Sequence, residues 1–202
     1  MKIALIVEGD TEKAFIPCLR AFLEEKLSGR MPSLRVVSYN GRIPKHDKLK
    51  RIVENLLGGK SPAHHVIALT DVYTGTSDFQ DASDAKDKMR QWVPGEPRFH
   101  PHAAQHDFEA WLLPYWSTIQ RLAGHNGAAP KGQPESVNHN KPPADQIAAL
   151  FAKGSSPRHY VKPRDALRIL KDNDLSIAIG CCPELKSLIN TILKVCGGSQ
   201  IP

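Results

Sequence analysis

The sequence predicts an α/β fold, a parallel sheet of about four strands flanked by helices, with a small helical subdomain at its C-terminal end. Three observations lead there. Short apolar runs of strand length alternate with helix-period segments through residues 1–123. The first and third of these runs end on a carboxylate, Glu8 and Asp71. Beyond residue 143 only short helical patterns remain.

Residues 3–7, IALIV, are a continuous apolar run that reads as a buried strand, and Ala14, Phe15, Leu19, Phe22, Leu23 and Leu27 follow at helical spacing until Gly29. Leu34–Tyr39 gives a second strand. After NGRIPKHDK, the spacing of Leu49, Ile52, Val53, Leu56 and Leu57 predicts a helix stopped by Gly58 and Gly59. HVIALTD, 65–71, is the third strand, with a polar helix from about Ser77 to Trp92. The fourth strand falls within RFHPHAAQH, 98–106, before a strong helix from Asp107 to about Leu122 that Pro114 kinks or restarts. Strands alternating with helices imply parallel pairing through right-handed crossovers. Residues 124–143 carry Gly, Pro and Asn without hydrophobic periodicity and read as a loop or linker. Helical patterns then recur at 144–152, 163–171, 174–179 and 183–194. The expected division is an α/β domain at 1–123, the linker at 124–143, and a helical subdomain at 144–202 packed on the first.

At 41% hydrophobic residues the chain is expected to be globular. No stretch approaches 18 consecutive apolar residues, and the N-terminal run lacks the length and basic flank of a signal peptide, so a soluble cytoplasmic protein is expected. Cys18, Cys181, Cys182 and Cys196 form no CxxC pair and read as buried thiols in a reducing compartment. The net charge of +6 and pI near 9.2 favour polyanionic partners. That charge is unevenly spread: residues 71–124 hold five Lys and Arg against eight Asp and Glu, whereas both flanks are basic. Carboxylates concentrated within a basic chain suggest a divalent-metal site set in a phosphate-attracting surface.

In parallel α/β sheets ligands sit at the carboxyl ends of the strands. Glu8, Asp71 and the stretch His106-Asp107-Phe108-Glu109 should therefore meet on one edge. Glu8 is read as a site residue, Gly9 as the position that lets the backbone turn sharply, and Asp10 or Thr11 as the helix cap. Glu12 either serves a cap or orients the loop. Asp71 ends an apolar strand, where a charge needs a reason, and Asp78 is close enough in sequence to fold back toward it, with an N-cap role as the alternative.

LIVEGDTEKAFI, IALTDVYTGTSDF and QHDFEAWLL, with RHYVKPRDALRIL and CCPELKSLINTIL further on, resemble the toprim-containing proteins of the domain-of-unknown-function family 4276, related to the OLD-type nucleases. The resemblance spans most of the chain and implies a toprim-like, Rossmann-like fold. It implies that Glu8 is the toprim glutamate, a general acid/base or metal ligand, and that Asp71 is the first aspartate of a D-x-D motif. Tyr73 stands where the second aspartate would be, so Asp78 or Glu109 becomes the replacement ligand. Asp107 stands where the family more often has Glu. Lys162, in HYVKP, is the candidate for the lysine that stabilises the phosphoryl transition state, by analogy with OLD-type nucleases.

These residues suit phosphodiester cleavage, which needs charge neutralisation at the phosphate and an activated water, tasks for Mg²⁺ or Mn²⁺ on hard oxygen ligands. His106, beside DFEA, can orient a carboxylate or phosphate, while His64, His65, His100 and His102 read as structural. GGK at 58–60 lacks the flanking residues of a phosphate-binding loop. The leading expectation is a metal-dependent toprim nuclease acting on DNA or RNA. By the resemblance it would work beside an ABC/AAA-type ATPase in anti-phage defence. The alternatives are a non-catalytic regulatory or nucleic-acid-binding subunit, and a phosphatase acting on small phosphoesters. No membrane partner is expected.

Overall fold

A computed structural model describes residues 1–39, 41–72, 77–137 and 141–202. Four parallel strands, β1 (Lys2–Val7), β2 (Ser33–Ser38), β3 (His65–Asp71) and β4 (Phe99–Ala104), lie in the order β2-β1-β3-β4. Leu5 sits between Val36 and Ile67, and Ala68 pairs with Pro101. Pro101 is tolerated because β4 is an edge strand, where a missing ladder donor is not needed by a further neighbour.

Side-chain alternation splits the core between the two faces of the sheet. Ile3, Leu5, Val7, Ile67 and Leu69 pack against α1 (Asp10–Leu27) and the C-terminal helices, and Ala4, Ile6, Val66 and Ala68 pack against α2 (His46–Gly58) and α3 (Ala82–Trp92). The central strands are covered on both sides, which is why their sequences are continuously apolar rather than alternating.

Two helical expectations change. α3 begins at Ala82, not near Ser77, because Asp81 provides the N-cap, its side chain accepting from the Asp84 N–H at 2.8 Å. The expected helix from Asp107 is instead a 3₁₀ segment, Phe108–Tyr115, followed by α4 (Trp116–Ala123). Pro114 supplies no N–H and disfavours α geometry in the residue before it, so the preceding turns stay in the tighter form. All of that segment except Pro114 is buried.

The segment read as a loop contributes to the interior. A short 3₁₀ turn at Pro134–Ser136 presents Glu135, and Val137 is 2% exposed. Then come α5 (Pro143–Ala152), α6 (Lys162–Lys171), α7 (Leu175–Cys181) and α8 (Pro183–Val195). Ile147, Phe151, Ile169, Leu185 and Ile189 from these helices join the same hydrophobic cluster as Leu5 and Phe15, and α6 lies along α1. Among the described residues no helix is long and apolar enough to cross a membrane.

Candidate metal centre and active site

The carboxyl ends of β1 and β3, the start of α1 and the 3₁₀ segment enclose a cavity of about 190 Å³ lined by Glu8, Glu12, Asp71, Glu109 and Lys162, with Phe108 among its walls. Asp107 lies behind it, 3% exposed. Five carboxylates from three stretches of chain thus meet a single lysine from a fourth. β1 and β3 are adjacent, so their terminal acids are brought side by side by the register alone.

Glu8 is fixed by β3: its Oε1 accepts from the Thr70 hydroxyl and from the Asp71 N–H at 3.3 Å. Burial pushes its carboxyl up to about 7; Thr70 works against the shift and Glu12 adds to it. Glu12 reaches back one turn to accept from the Gly9 N–H at 3.1 Å. Its carboxyl is also raised, by burial and by Glu109. Asp71 is held well above the carboxylate range by burial and then by Glu12, Glu8, Asp107 and Glu109, and its buried Oδ1 has no hydrogen-bond partner. Asp107 accepts from the Ala144 N–H at 3.1 Å through Oδ2, while its Oδ1 is likewise unpartnered. Burial and Glu109 push it to about 7.

Glu109 is fully buried and receives the two polar groups of the α6 approach: Lys162 Nζ at 3.2 Å and the Tyr160 hydroxyl at 3.4 Å. Burial raises its carboxyl, with Lys162 opposing. For Lys162 burial disfavours the ammonium, yet Glu109, Asp107 and Asp71 outweigh it and hold it above its ordinary range. Lys162 is placed by the charge network at its back. Asp165, fully buried, accepts from the Val161 N–H at 2.9 Å and from Arg158 at 2.7 and 3.1 Å, with Arg164 at 3.2 Å.

Glu8, Glu12, Asp71, Glu109 and Lys162 therefore share one cavity, with Asp107 against it. Other expectations change. Gly9 is extended (φ −159°), and a Cβ there would meet nothing nearer than Glu12 Oε2 at 3.7 Å, so its contribution is the N–H it gives Glu12 rather than a turn only glycine can make. Gly9 itself is the N-cap; Asp10 is exposed and pairs with Lys13 at 2.7 Å, and neither it nor Thr11 caps the helix. Asp78 does not cap α3 and is engaged by Arg42 at 2.8 Å and Lys45 at 2.5 Å. His106, in a left-handed conformation (φ 71°), lines a different and larger cleft with Glu135 and Cys181. Tyr73 lies outside the described residues.

Sequence reasoning missed Thr70, Tyr160 and Glu135. Thr70 had one signal, a lone hydroxyl inside the apolar run of β3. Glu135 had none: its carboxylate, 8% exposed, accepts from Trp111 Nε1 at 2.8 Å and from the N–H groups of Glu184 and Leu185, which anchors the start of α8.

Hard oxygen donors with two unpartnered buried oxygens are the donor set that Mg²⁺ or Mn²⁺ takes. Among the described residues, no three His, Cys, Asp or Glu side chains are already close enough together to hold an ion as they stand.

The fold is an α/β fold of the kind found in the C-terminal region of OLD proteins. The chain superposes on that region of the Burkholderia pseudomallei OLD protein with a TM-score of 0.56 at 14% identity, covering 96% of this chain and 98% of that one. For the Xanthomonas campestris pv. campestris OLD protein the values are 0.51 and 14%, over 96% of each chain. The chain belongs to the family described as domain of unknown function DUF4276, whose pattern matches residues 7–193. No curated protein matches it in sequence.

Proposed function

We propose that this chain is a divalent-metal-dependent phosphodiesterase acting on nucleic acid. The observation that carries the reading is the convergence of Glu8, Glu12, Asp71 and Glu109 with Lys162 in a small polar cavity at the strand ends, with Asp107 against it. Structural likeness to the C-terminal region of OLD proteins supports it. So does the resemblance of the VEG-x-TE, strand-ending Asp and DFEA stretches to toprim motifs.

Glu8, Asp71 and Glu109 would hold the cation, with Asp107 and Glu12 close behind. A bound Mg²⁺ or Mn²⁺ supplies charge neutralisation at the scissile phosphate and lowers the pKa of water. Without a cation the Glu8 carboxyl sits near 7, so metal binding at neutral pH would displace a proton from it and would weaken as the pH falls. Lys162 would present a positive charge toward the phosphate oxygens, its ammonium directed by Glu109, which in turn accepts from the Tyr160 hydroxyl. Phe108 gives the cavity an apolar wall, which strengthens each of these charges by excluding water. Asp78 belongs to the neighbouring basic cluster of Arg42 and Lys45 and is not assigned a ligand role. A cytoplasmic protein paired with an ABC/AAA-type ATPase in anti-phage defence completes the proposal.

A second reading, a non-catalytic subunit that keeps the fold, draws on Tyr73 at the second D-x-D position and on the absence, among the described residues, of a ready-made cation cage. One assay separates the two. Plasmid DNA, single-stranded DNA, bulk tRNA and p-nitrophenyl phosphate are incubated with Mg²⁺, Mn²⁺ or EDTA, using wild type, Glu8→Gln and Lys162→Met. Metal-dependent cleavage of a polymer that both variants lose supports the nuclease. Turnover of the small ester alone would make it a phosphatase, and no turnover with or without the ATPase would leave the non-catalytic reading.

A further inference from the structure

A second polar pocket lies at the open edge of the sheet, away from the carboxylate cavity. β4 runs along its floor, α3 forms one wall and α8 the other. Its volume is about 190 Å³. Lys86 and Arg90 reach into it from α3, His100 and His102 from β4, and Ser187 and Thr191 from α8. Apart from the hydrocarbon of Phe99 and Pro101, each side chain facing the pocket carries a nitrogen or hydroxyl that can donate.

Three features point to an anionic ligand. His102 is 4% exposed; its Nε2 is 3.0 Å from the Thr191 hydroxyl, and its buried Nδ1 has no partner. An unpartnered polar atom on a side chain so buried has a cost unless something meets it. His100 is tied back to His65, Nε2 to Nδ1 at 3.1 Å, which fixes the ring against the sheet rather than in solvent. The surroundings are also positive: His102 is depressed to about 3 by burial and then by Lys86, His100 and Arg90, and His100 by burial, His65 and Lys194. Two carboxylates moderate this charge from the rim. Glu184 holds Lys86 at 2.7 and 2.9 Å, and the exposed Asp87 holds Arg90 Nη1 at 2.8 Å. Lys86 keeps a further N–H and Arg90 the rest of its fork for a ligand. A cation would meet an ammonium and a guanidinium here, so metal binding by the histidines is disfavoured.

We propose that this pocket binds a phosphate group, either free phosphate or the terminal phosphate of a nucleotide, gripped by Arg90 and Lys86 and seated on Ser187, His100 and His102. Arg90 supplies the fork that matches phosphate oxygens, and the pocket volume admits one such group with its bridging atoms. The pocket spans α3, β4 and α8, so a bound phosphate ties both helical layers to the edge strand. The site is independent of the nuclease reading, because none of its residues touches the carboxylate cavity.

The test uses the full chain in EDTA, so that the carboxylate cavity takes no metal. Inorganic phosphate, adenosine 5′-monophosphate and adenosine are titrated at constant ionic strength, while the ring signals of His100 and His102 are followed by NMR. Saturable shifts of both rings with phosphate and the monophosphate, but not with adenosine, are expected. Arg90→Gln should weaken both affinities at least tenfold, while Arg121→Gln, a surface control, leaves them unchanged. A tighter fit of the monophosphate would identify the nucleotide as the ligand, and equal affinities the free ion. Unsaturable shifts, equal binding of adenosine, or an affinity indifferent to both Arg90→Gln and Ser187→Ala would overturn the proposal. Arg90 is exposed and Ser187 carries only a hydroxyl, so neither replacement threatens folding.

Discussion

Replacing Asp165 by Ala tests whether a buried charge network seats the helix that carries Lys162. The carboxylate is fully buried and takes two bonds from Arg158, further ones from Arg164, and the Val161 N–H at the head of α6. Burial opposes its charge, yet these donors hold it at about 2 against an ordinary 3.8. That difference corresponds to roughly 2 kcal/mol favouring the ionised native state. Removing the acceptor also strands the Val161 N–H and loosens Arg158, which lies 4.3 Å over the Phe151 ring. The expected loss is about 3–4 kcal/mol, in the range for breaking a buried ion pair. For a chain of 202 residues this is a fall in Tm of roughly 6–15 °C. Because the folded pKa is depressed, the ionic contribution is complete above about pH 5 and disappears as the pH falls through 3.8 toward 2. Urea unfolding at pH 7.5 and near pH 3, followed by circular dichroism, measures both numbers. Asp165→Asn should retain the Val161 bond and lose about half as much. A loss under about 0.5 kcal/mol for the alanine variant at pH 7.5 would refute the argument.

Other expectations follow from the same geometry. Glu135→Ala strips the start of α8 of its carboxylate and leaves the Trp111 N–H without an acceptor, so a loss of about 2–3 kcal/mol is expected by urea unfolding, largely restored in Glu135→Gln if hydrogen bonding rather than charge dominates. His102 should make the protein acid-sensitive. Its folded value of about 3 lies below 6.5, so the unfolded chain gains a proton first and stability declines below about pH 6.5, by about 2 kcal/mol at pH 5. His102→Gln should remove that slope from the pH–stability curve. Asp71→Asn should raise Tm in EDTA at pH 8, since burial and then four neighbouring acids penalise the Asp71 charge in the folded state only, while abolishing any rise in Tm that Mn²⁺ gives the wild type. A lowered Tm in EDTA would show that Asp71 is structural.

The strands and the acidic strand ends were legible because they are local facts. IALIV and HVIALTD are apolar over strand length, and a carboxylate directly after such a run has few places to go but the sheet edge. The 3₁₀ segment was not, because FEAWLLPY has the composition of a buried helix, and only packing decides how tightly it winds. Asp78 and His106 were drawn in by proximity in sequence, which does not say where a loop turns. The left-handed backbone at His106 sends it toward Glu135, and Arg42 and Lys45 take Asp78. Gly9 misled differently: a glycine after a strand suggests a turn, yet the backbone there is extended. Glu135 and Tyr160 make contacts from distant stretches of chain, and no periodicity reports such contacts.

The placement of Lys162 has a consequence for the protein during its synthesis. The five acids of the cavity all lie within the first 109 residues, and the ammonium that pairs with Glu109 comes 53 positions later. At a translation rate of roughly 5–20 residues per second, the acids precede the lysine out of the ribosome by about 3–10 s. Throughout that interval the nascent sheet carries a cluster of mutually repelling acids, eased at Glu8 by Arg42 but without the ammonium that pairs with Glu109. When α6 closes over α1, Lys162 reaches Glu109 and offsets part of that repulsion. The acid cluster thus gains its lysine partner only when the chain is nearly finished.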